Sequence, residues 1–141
     1  MRNPVPFVGA VAAVVAATLV VPTSQAWAGP NCSTGYHCGW DIGFGTGKIS
    51  FFTSDPDFRD NTFNTGVVAD NNIRTVSNST STDYASFWYA DVNYGGFLFC
   101  VNPNSSVQNL SDDGQPGNGV GLGNEASSVW LIAGGPWDGC Y

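Results

Sequence analysis

The chain is poor in basic and catalytic side chains. Only four lysines and arginines stand against eleven acidic residues, and there is one histidine, His37. Phosphate binding needs clustered Lys and Arg, so this scarcity argues against nucleic acid as a partner. Acid–base or nucleophilic chemistry needs a base within reach of a nucleophile, and His37 lies beside Cys38 on a predicted strand, where we expect it to be exposed. The sequence contains no phosphate loop, zinc motif or nucleophile elbow. It therefore predicts a protein that is not an enzyme.

Long apolar runs are also scarce, and the only one lies at the N-terminus, at residues 8–21. Arg2 precedes it, and the small-residue pattern Ala26-Trp27-Ala28 follows it. This arrangement predicts a cleaved secretory signal peptide over residues 1–28, not a lasting membrane anchor. We expect residues 29–141 to form one secreted, extracellular domain without a membrane partner. Three basic and eleven acidic side chains give this domain a net charge of −8, which favours solubility and is electrostatically compatible with a divalent cation or a basic protein.

All four cysteines fall in the part predicted to be exported: Cys32, Cys38, Cys100 and Cys140. An even number in a small secreted domain indicates two disulfides, for which three pairings exist. We favour one bridge between Cys32 and Cys38 and another between Cys100 and Cys140. The first would close a hairpin-like end, and the second would tie a strand to the chain terminus. A zinc site is the competing interpretation, but His37 is the only histidine that could complete it.

Little of residues 29–141 has a helical pattern. Short apolar runs are bounded by Gly, Asn, Asp, Ser and Pro, which is typical of strands and turns. We predict strands near residues 36–40, 48–53, 66–69, 74–78, 84–90, 97–101, 107–110 and 127–133. Residues 54–60 and 102–118 are predicted to be surface loops. The fold class is therefore predicted to be all-β.

A β motif occurs twice. Trp40 is followed seven residues later by Gly47, and Tyr89 is followed seven residues later by Gly96. Each copy continues into an apolar strand and later reaches a polar arch, at residues 70–75 and 123–128, which ends at a valine expected to be buried. The sequence predicts two packed repeats, at about residues 30–80 and 81–141.

The constellation resembles the βγ-crystallin Greek-key signature, in which a second aromatic lies five residues after the first and glycine lies at seven. The second copy fits with Tyr89, Tyr94 and Gly96. The first copy has its second ring, Phe44, at four, so we expect a distorted hairpin there. The Cys-Gly-Trp start at residues 38–40 and the Ser-Ser-Val at residues 127–129 are similar to those of the actinobacterial metalloproteinase-inhibitor family, which shares this fold. The resemblance implies a double Greek-key β-sandwich that binds an extracellular protease.

The polar arches have two interpretations, which stay open. In calcium-binding βγ-crystallins an arch reads Asn/Asp, Asn/Asp, any, any, Ser/Thr, Ser, and its oxygen ligands suit a hard cation. The candidate ligands that this resemblance implies are Asp70, Asn71, Thr75, Asn124, Ser127 and Ser128. Arg74 and Gly123 depart from the pattern, and because the family's arches exchange ligands, we expect each departure to affect a different site. Alternatively, the same polar side chains only cap tight turns. No cofactor is required, and calcium is the alternative ligand.

The favoured hypothesis is a monomeric secreted peptidase inhibitor that blocks a protease through a disulfide-braced loop. Residues 102–119, tethered by Cys100, are the predicted loop, because pre-organisation reduces the entropy cost of binding. The alternative is a calcium-binding structural or cell-surface module without a protease target. Sugar binding would need an exposed row of aromatic rings, and the sequence shows none. Trp40, Trp88, Trp130 and the phenylalanines are expected in the core.

Overall fold

The computed structural model describes residues 29–81, 83–111 and 121–141; the predicted signal peptide, residues 1–28, lies outside them. The described chain contains seven strands and two short 3₁₀ turns and has no α-helix. The strands are β1 (His37–Ile42), β2 (Thr46–Phe51), β3 (Thr75–Asn78), β4 (Tyr84–Tyr89), β5 (Phe97–Val101), β6 (Ser105–Val107) and β7 (Ser128–Ala133), and the turns are Phe58–Asp60 and Val92–Tyr94. The predicted all-β fold is confirmed.

Two antiparallel sheets form the sandwich, with strand orders β2-β1-β3-β6 and β5-β4-β7. Each sheet includes a segment from the other half of the sequence. β6 pairs with β3, placing Val107 opposite Val76. In return, Asp55 pairs with Val129 at the edge of β7 through backbone hydrogen bonds of 2.8 and 2.9 Å. This reciprocal crossover is the Greek-key connection, and it binds the halves into one sandwich.

Two predicted strands are misplaced. Residues 66–69 contain only one isolated bridge, between Thr62 and Val68. The chain turns at Gly66, where φ is +86°, and Val67 and Val68 remain exposed, so pairing does not spread into a sheet. The strand expected at residues 107–110 is instead β6, which ends at Val107.

Aromatic rings fill much of the space between the sheets. Phe51 stacks on Phe58 with centroids 4.9 Å apart, and Trp88 stacks on Phe99 at 5.9 Å. Burying each such side chain contributes about 2–3 kcal/mol. The valines that close the two arches, Val76 and Val129, are fully buried as predicted.

Trp130, Phe52 and Phe97 were expected in this core, and that expectation is wrong. Their exposed fractions are 47%, 69% and 56% respectively. In β7 the neighbouring Val129 is buried, and successive side chains of a strand point to opposite faces. Trp130 therefore lies on the outer face of its sheet.

The glycines of the two repeats adopt the same left-handed conformation, with φ of +60° at Gly47 and +62° at Gly96. A ring pair lies at each fold-over: Trp40 with Phe44, centroids 5.0 Å apart, and Tyr89 with Tyr94, 6.0 Å apart. Glycine suits both positions because other residues rarely adopt positive φ.

The two hairpins differ in strand pairing. β1 and β2 keep one register from His37↔Phe51 to Ile42↔Thr46. The register between β4 and β5 shifts between Trp88 and Tyr89. The irregular pairing thus lies in the second repeat, which matches the signature better, and the first repeat forms the regular ladder.

Candidate functional site

One end of the sandwich carries a small disulfide ring. Cys32 and Cys38 form the predicted bridge, with Cα atoms 5.8 Å apart. Within the ring, Ser33, Thr34 and Tyr36 are exposed. The ring is also held by backbone hydrogen bonds to the segment after β3. Gly35 N donates to the Ser79 carbonyl and Ser79 N donates to the Tyr36 carbonyl, both at 2.9 Å. Covalent and hydrogen-bond restraints therefore fix an exposed four-residue segment.

The histidine beside this ring is buried, and the expectation of an exposed side chain is wrong. His37 is 1% exposed because β1 lies between β2 and β3 in its sheet. Its side chain lines a cleft of about 540 Å³ together with Phe52 and Tyr84. Burial lowers the pKa of His37 to about 4, and its Nδ1 has no hydrogen-bond partner among the described residues. The imidazole is therefore neutral at pH 7.

The second bridge joins Cys100 to Cys140, as predicted, with Cα atoms 4.8 Å apart. The predicted loop 102–119 begins here, but its first part is docked on the sandwich. Asn102 accepts from Trp137 N at 2.6 Å and donates to the Trp137 carbonyl at 3.1 Å. β6 follows, and then comes Leu110, which is fully buried. Residues 112–119 of the predicted loop lie outside the described residues.

The two polar arches lie against each other. Asn71 N donates to the Ala126 carbonyl at 3.0 Å, and Asn124 N donates to the Ile73 carbonyl at 2.8 Å. Both asparagines have positive φ, 54° and 66°, a conformation that asparagine tolerates. The fold thus brings together candidate ligands that are about 50 residues apart in sequence.

The two departures from the calcium pattern meet at one end of these paired arches. Arg74 Nε donates to Asn124 Oδ1 at 3.1 Å, and Gly123 immediately precedes Asn124. A Cβ at position 123 would displace the Ser111 hydroxyl. The sequence predicted damage to two separate sites, whereas the structure places both changes side by side. A guanidinium group occupies this end, so its residues do not fit a metal cation.

The end of the arches opposite Arg74 retains oxygen-bearing side chains of the calcium pattern. Asp70 Oδ1 is buried without a hydrogen-bond partner in the described chain, while Asp70 Oδ2 accepts from Asn71 Nδ2 at 3.2 Å. Ser127 lies next to Ala126, which receives the Asn71 hydrogen bond, and is 5% exposed. Arg59 is close enough for Asp70 to contribute to its raised pKa, after the larger effect of Asp57. An unpartnered carboxylate oxygen is the type of ligand that a hard cation prefers.

Two other candidate ligands have structural roles. The Thr75 hydroxyl donates to the Gln108 carbonyl at 3.0 Å. The Ser128 hydroxyl donates to the Asp91 carbonyl at 2.7 Å and accepts from Tyr94 N at 3.2 Å. Both hydroxyls therefore secure loops. Over the described ranges, no group of three or more His, Cys, Asp or Glu side chains is positioned to hold a metal.

The double Greek-key sandwich with paired arches is a βγ-crystallin-type fold. A solved structure titled "Evolution of the eye lens beta-gamma-crystallin domain fold" has a similar fold, with a TM-score of 0.53. It is 17% identical, and the match covers 73% of this chain and 90% of that chain. The sequence model of peptidase inhibitor family I36 matches residues 25–101, and the chain belongs to that family. Among curated proteins, no sequence matches this chain.

Membership in an inhibitor family agrees with a binding role, as the sequence predicted, and implies a protease partner. Two disulfides are compatible with an exported protein. In the ranges that the structure describes, no helix has the length and apolar character needed to cross a membrane.

Proposed function

We propose that this chain is a secreted peptidase inhibitor, and that the Cys32–Cys38 ring provides the braced loop that contacts the protease. Family membership supports the inhibitory role. The restraints on this ring support the choice of loop. The disulfide closes the segment from Ser33 to Tyr36, and hydrogen bonds to Ser79 hold it in place. A loop fixed before binding loses little conformational entropy when it enters a protease cleft.

The ring is a better contact surface than the described part of residues 102–119. Asn102 and Leu110 hold that part on the sandwich, and only short stretches of it are exposed. By contrast, Tyr36 lies at the surface of the disulfide ring. The centroid of its aromatic side chain is 5.3 Å from that of Phe52. An aromatic side chain presented beside a cleft can fill a protease specificity pocket.

The first test titrates purified residues 29–141 against a panel of metallo- and serine proteases. We expect stoichiometric inhibition of at least one enzyme. No inhibition at micromolar protein across the panel would exclude the inhibitory role.

Matched loop variants then locate the contact. Tyr36→Ala should weaken inhibition about tenfold or more, as loss of a buried aromatic anchor does. The control replaces residues 112–120 with a Gly-Ser segment of equal length and should leave inhibition unchanged. If Tyr36→Ala inhibits normally and the Gly-Ser variant does not, the ring is not the contact surface. That result would assign the contact surface to residues 112–120 and leave the inhibitory role intact.

A second candidate function is calcium binding at the Asp70 end of the arches, favoured by the buried, unpartnered Asp70 Oδ1. Asp70 and Ser127 would contribute oxygen ligands, and the cation would neutralise the half-buried carboxylate. Calcium should then raise the melting temperature relative to chelator, because a ligand that binds only the folded state stabilises it. Asp70→Ala should abolish the rise, and Asn124→Ala, at the Arg74 end, should retain it. Unchanged melting of the unsubstituted protein at millimolar calcium would exclude this function.

A further inference from the structure

Six aromatic rings gather on the outer face of the β5-β4-β7 sheet and form what we term the aromatic patch. Its members are Phe87, Tyr89, Tyr94, Phe97, Trp130 and Trp137. The sequence predicts no exposed row of aromatic rings, and that prediction is wrong. Three strands and two loops contribute these rings, so no single segment displays the pattern.

The strand pairing explains why the rings meet. Trp88 is fully buried in the core, so Phe87 and Tyr89, on either side of it in β4, lie on the opposite face. Phe87 pairs directly with Trp130 of β7, and Tyr89 pairs with Phe97 of β5. Directly opposite side chains in a sheet are close enough to pack.

The rings contact one another in an unbroken chain. The successive centroid distances are 6.0 Å for Trp137–Phe87, 6.0 Å for Phe87–Phe97, 5.9 Å for Phe97–Tyr89, 6.0 Å for Tyr89–Tyr94 and 5.4 Å for Tyr94–Trp130. Each ring is supported by a neighbour, so the patch is ordered before any ligand arrives. Phe97, Trp130 and Trp137 nevertheless remain 56%, 47% and 44% exposed.

The patch is amphipathic, with polar groups available at its rings. The Tyr94 hydroxyl and the indole N–H groups of Trp130 and Trp137 make no hydrogen bonds within the described chain. A ligand that matches this surface must therefore offer flat apolar faces together with hydrogen-bonding groups.

The charges around the patch restrict the class of ligand further. The three basic residues of the described chain, Lys48, Arg59 and Arg74, lie outside the β5-β4-β7 sheet and the loops that complete the patch. The exposed acids Asp91 and Asp138 are close to Tyr94 and Trp137 in sequence. These acids would repel an anionic polysaccharide or an anionic lipid surface, and the patch contains no basic residue to offset the repulsion.

We propose that the aromatic patch binds a neutral polysaccharide built of hexopyranose units. The C–H faces of such sugar rings are apolar and pack flat on aromatic rings, while their hydroxyls accept hydrogen bonds from indole N–H and exchange them with tyrosine hydroxyls. A lipid chain offers no partner for these polar groups. This activity is separate from protease inhibition, and it would hold the protein on an insoluble glycan.

The experiment measures retention of residues 29–141 on insoluble chitin and on cellulose. We expect retention on at least one polymer. Replacing Trp130 and Trp137 together by leucine should reduce retention about tenfold, because leucine keeps apolar area but removes the flat ring. Phe52→Leu, which changes an exposed ring outside the patch, is the matched control and should bind normally.

A second measurement needs no variant and therefore does not depend on the folding of one. Trp40 and Trp88 are fully buried, so Trp130 and Trp137 are the tryptophans of the described chain that acrylamide can reach. Soluble oligosaccharides of the retained polymer should protect them from quenching.

Retention on neither polymer would overturn the proposal, as would unchanged retention of the double leucine variant or absence of protection. A dimer in sedimentation experiments that the leucine substitutions abolish would also overturn it, because a second copy of the chain would then cover the patch.

Discussion

At the scale of single residues, the two repeat glycines have unequal surroundings despite equal backbone conformations. A Cβ at position 47 would collide with the Asp41 carboxylate, whereas a Cβ at position 96 would lie 3.2 Å from Asp91 Oδ2. The sequence motif treats these glycines as equivalent. In the structure, a larger residue at position 47 would have to displace the Asp41 side chain as well as adopt positive φ.

Alanine substitution should reveal this difference. Gly96→Ala should lower the free energy of unfolding by about 1 kcal/mol, the usual cost of a left-handed alanine. Gly47→Ala should cost about 2–3 kcal/mol, because steric displacement of Asp41 adds to the backbone strain. Urea unfolding of both variants measures the difference. Equal losses would show that Asp41 moves aside freely.

His37 should make stability depend on pH. Its pKa is about 4 in the folded state and 6.5 in the unfolded chain, so the unfolded chain takes up the proton first. The stability associated with the neutral imidazole is complete above pH 6.5 and is lost as pH falls towards 4, by about 3 kcal/mol in all.

Urea titrations between pH 7 and 5 test this dependence, since most carboxylates remain ionised there. His37→Phe removes the titrating group and should flatten the profile in this range. An unchanged slope in the phenylalanine variant would assign the pH dependence to another group.

At the scale of elements, sequence patterns predicted the positions of strands better than they predicted which side chains share a sheet face. Alternation in residues 84–90 predicted β4 nearly to its bounds, Tyr84–Tyr89. It did not predict the aromatic patch, because the rings that join Phe87 and Tyr89 in the patch come from β5, β7 and two loops. The signal present in the sequence was the alternation of Phe87 and Tyr89 around the buried Trp88.

The candidate site was predicted in part, for similar reasons. The arch residues were predicted from their resemblance to the βγ-crystallin arch pattern, but the contact between Arg74 and Asn124 depends on the pairing of distant segments. The burial of His37 likewise follows from β3 lying beside β1. Neither is encoded in the neighbouring residues.

The two disulfides should contribute unequally to stability. Cys32–Cys38 spans 6 residues and Cys100–Cys140 spans 40. The loop-entropy model predicts losses of about 2 kcal/mol for Cys32→Ser with Cys38→Ser and about 4 kcal/mol for Cys100→Ser with Cys140→Ser. Denaturant unfolding of the two double variants compares them. A larger loss from opening the small ring would show that its packing against Ser79 outweighs loop entropy.

At the scale of the whole molecule, the exchanged strands make the halves interdependent. β6 completes the sheet of β1 to β3, and Asp55 extends the sheet of β4, β5 and β7. Each half therefore leaves an unpaired sheet edge and an open core when it is separated from the other.

Separate production of the halves tests this dependence. Residues 29–80 and 81–141 should each fail to unfold cooperatively when alone, and a mixture should regain a melting transition. Circular dichroism during heating provides the measurement. A cooperative transition in either isolated half would show that the halves are independent folding units.

The proposed contact between the small disulfide ring and a protease has a consequence for the fate of the ring if it is cut. If a protease cuts one peptide bond between Cys32 and Cys38, the sulfur bridge keeps the new amine and the new carboxylate on the same molecule. The hydrogen bonds to Ser79 hold the segment near its starting position. Resynthesis of the bond then competes with release, so hydrolysis need not inactivate the protein.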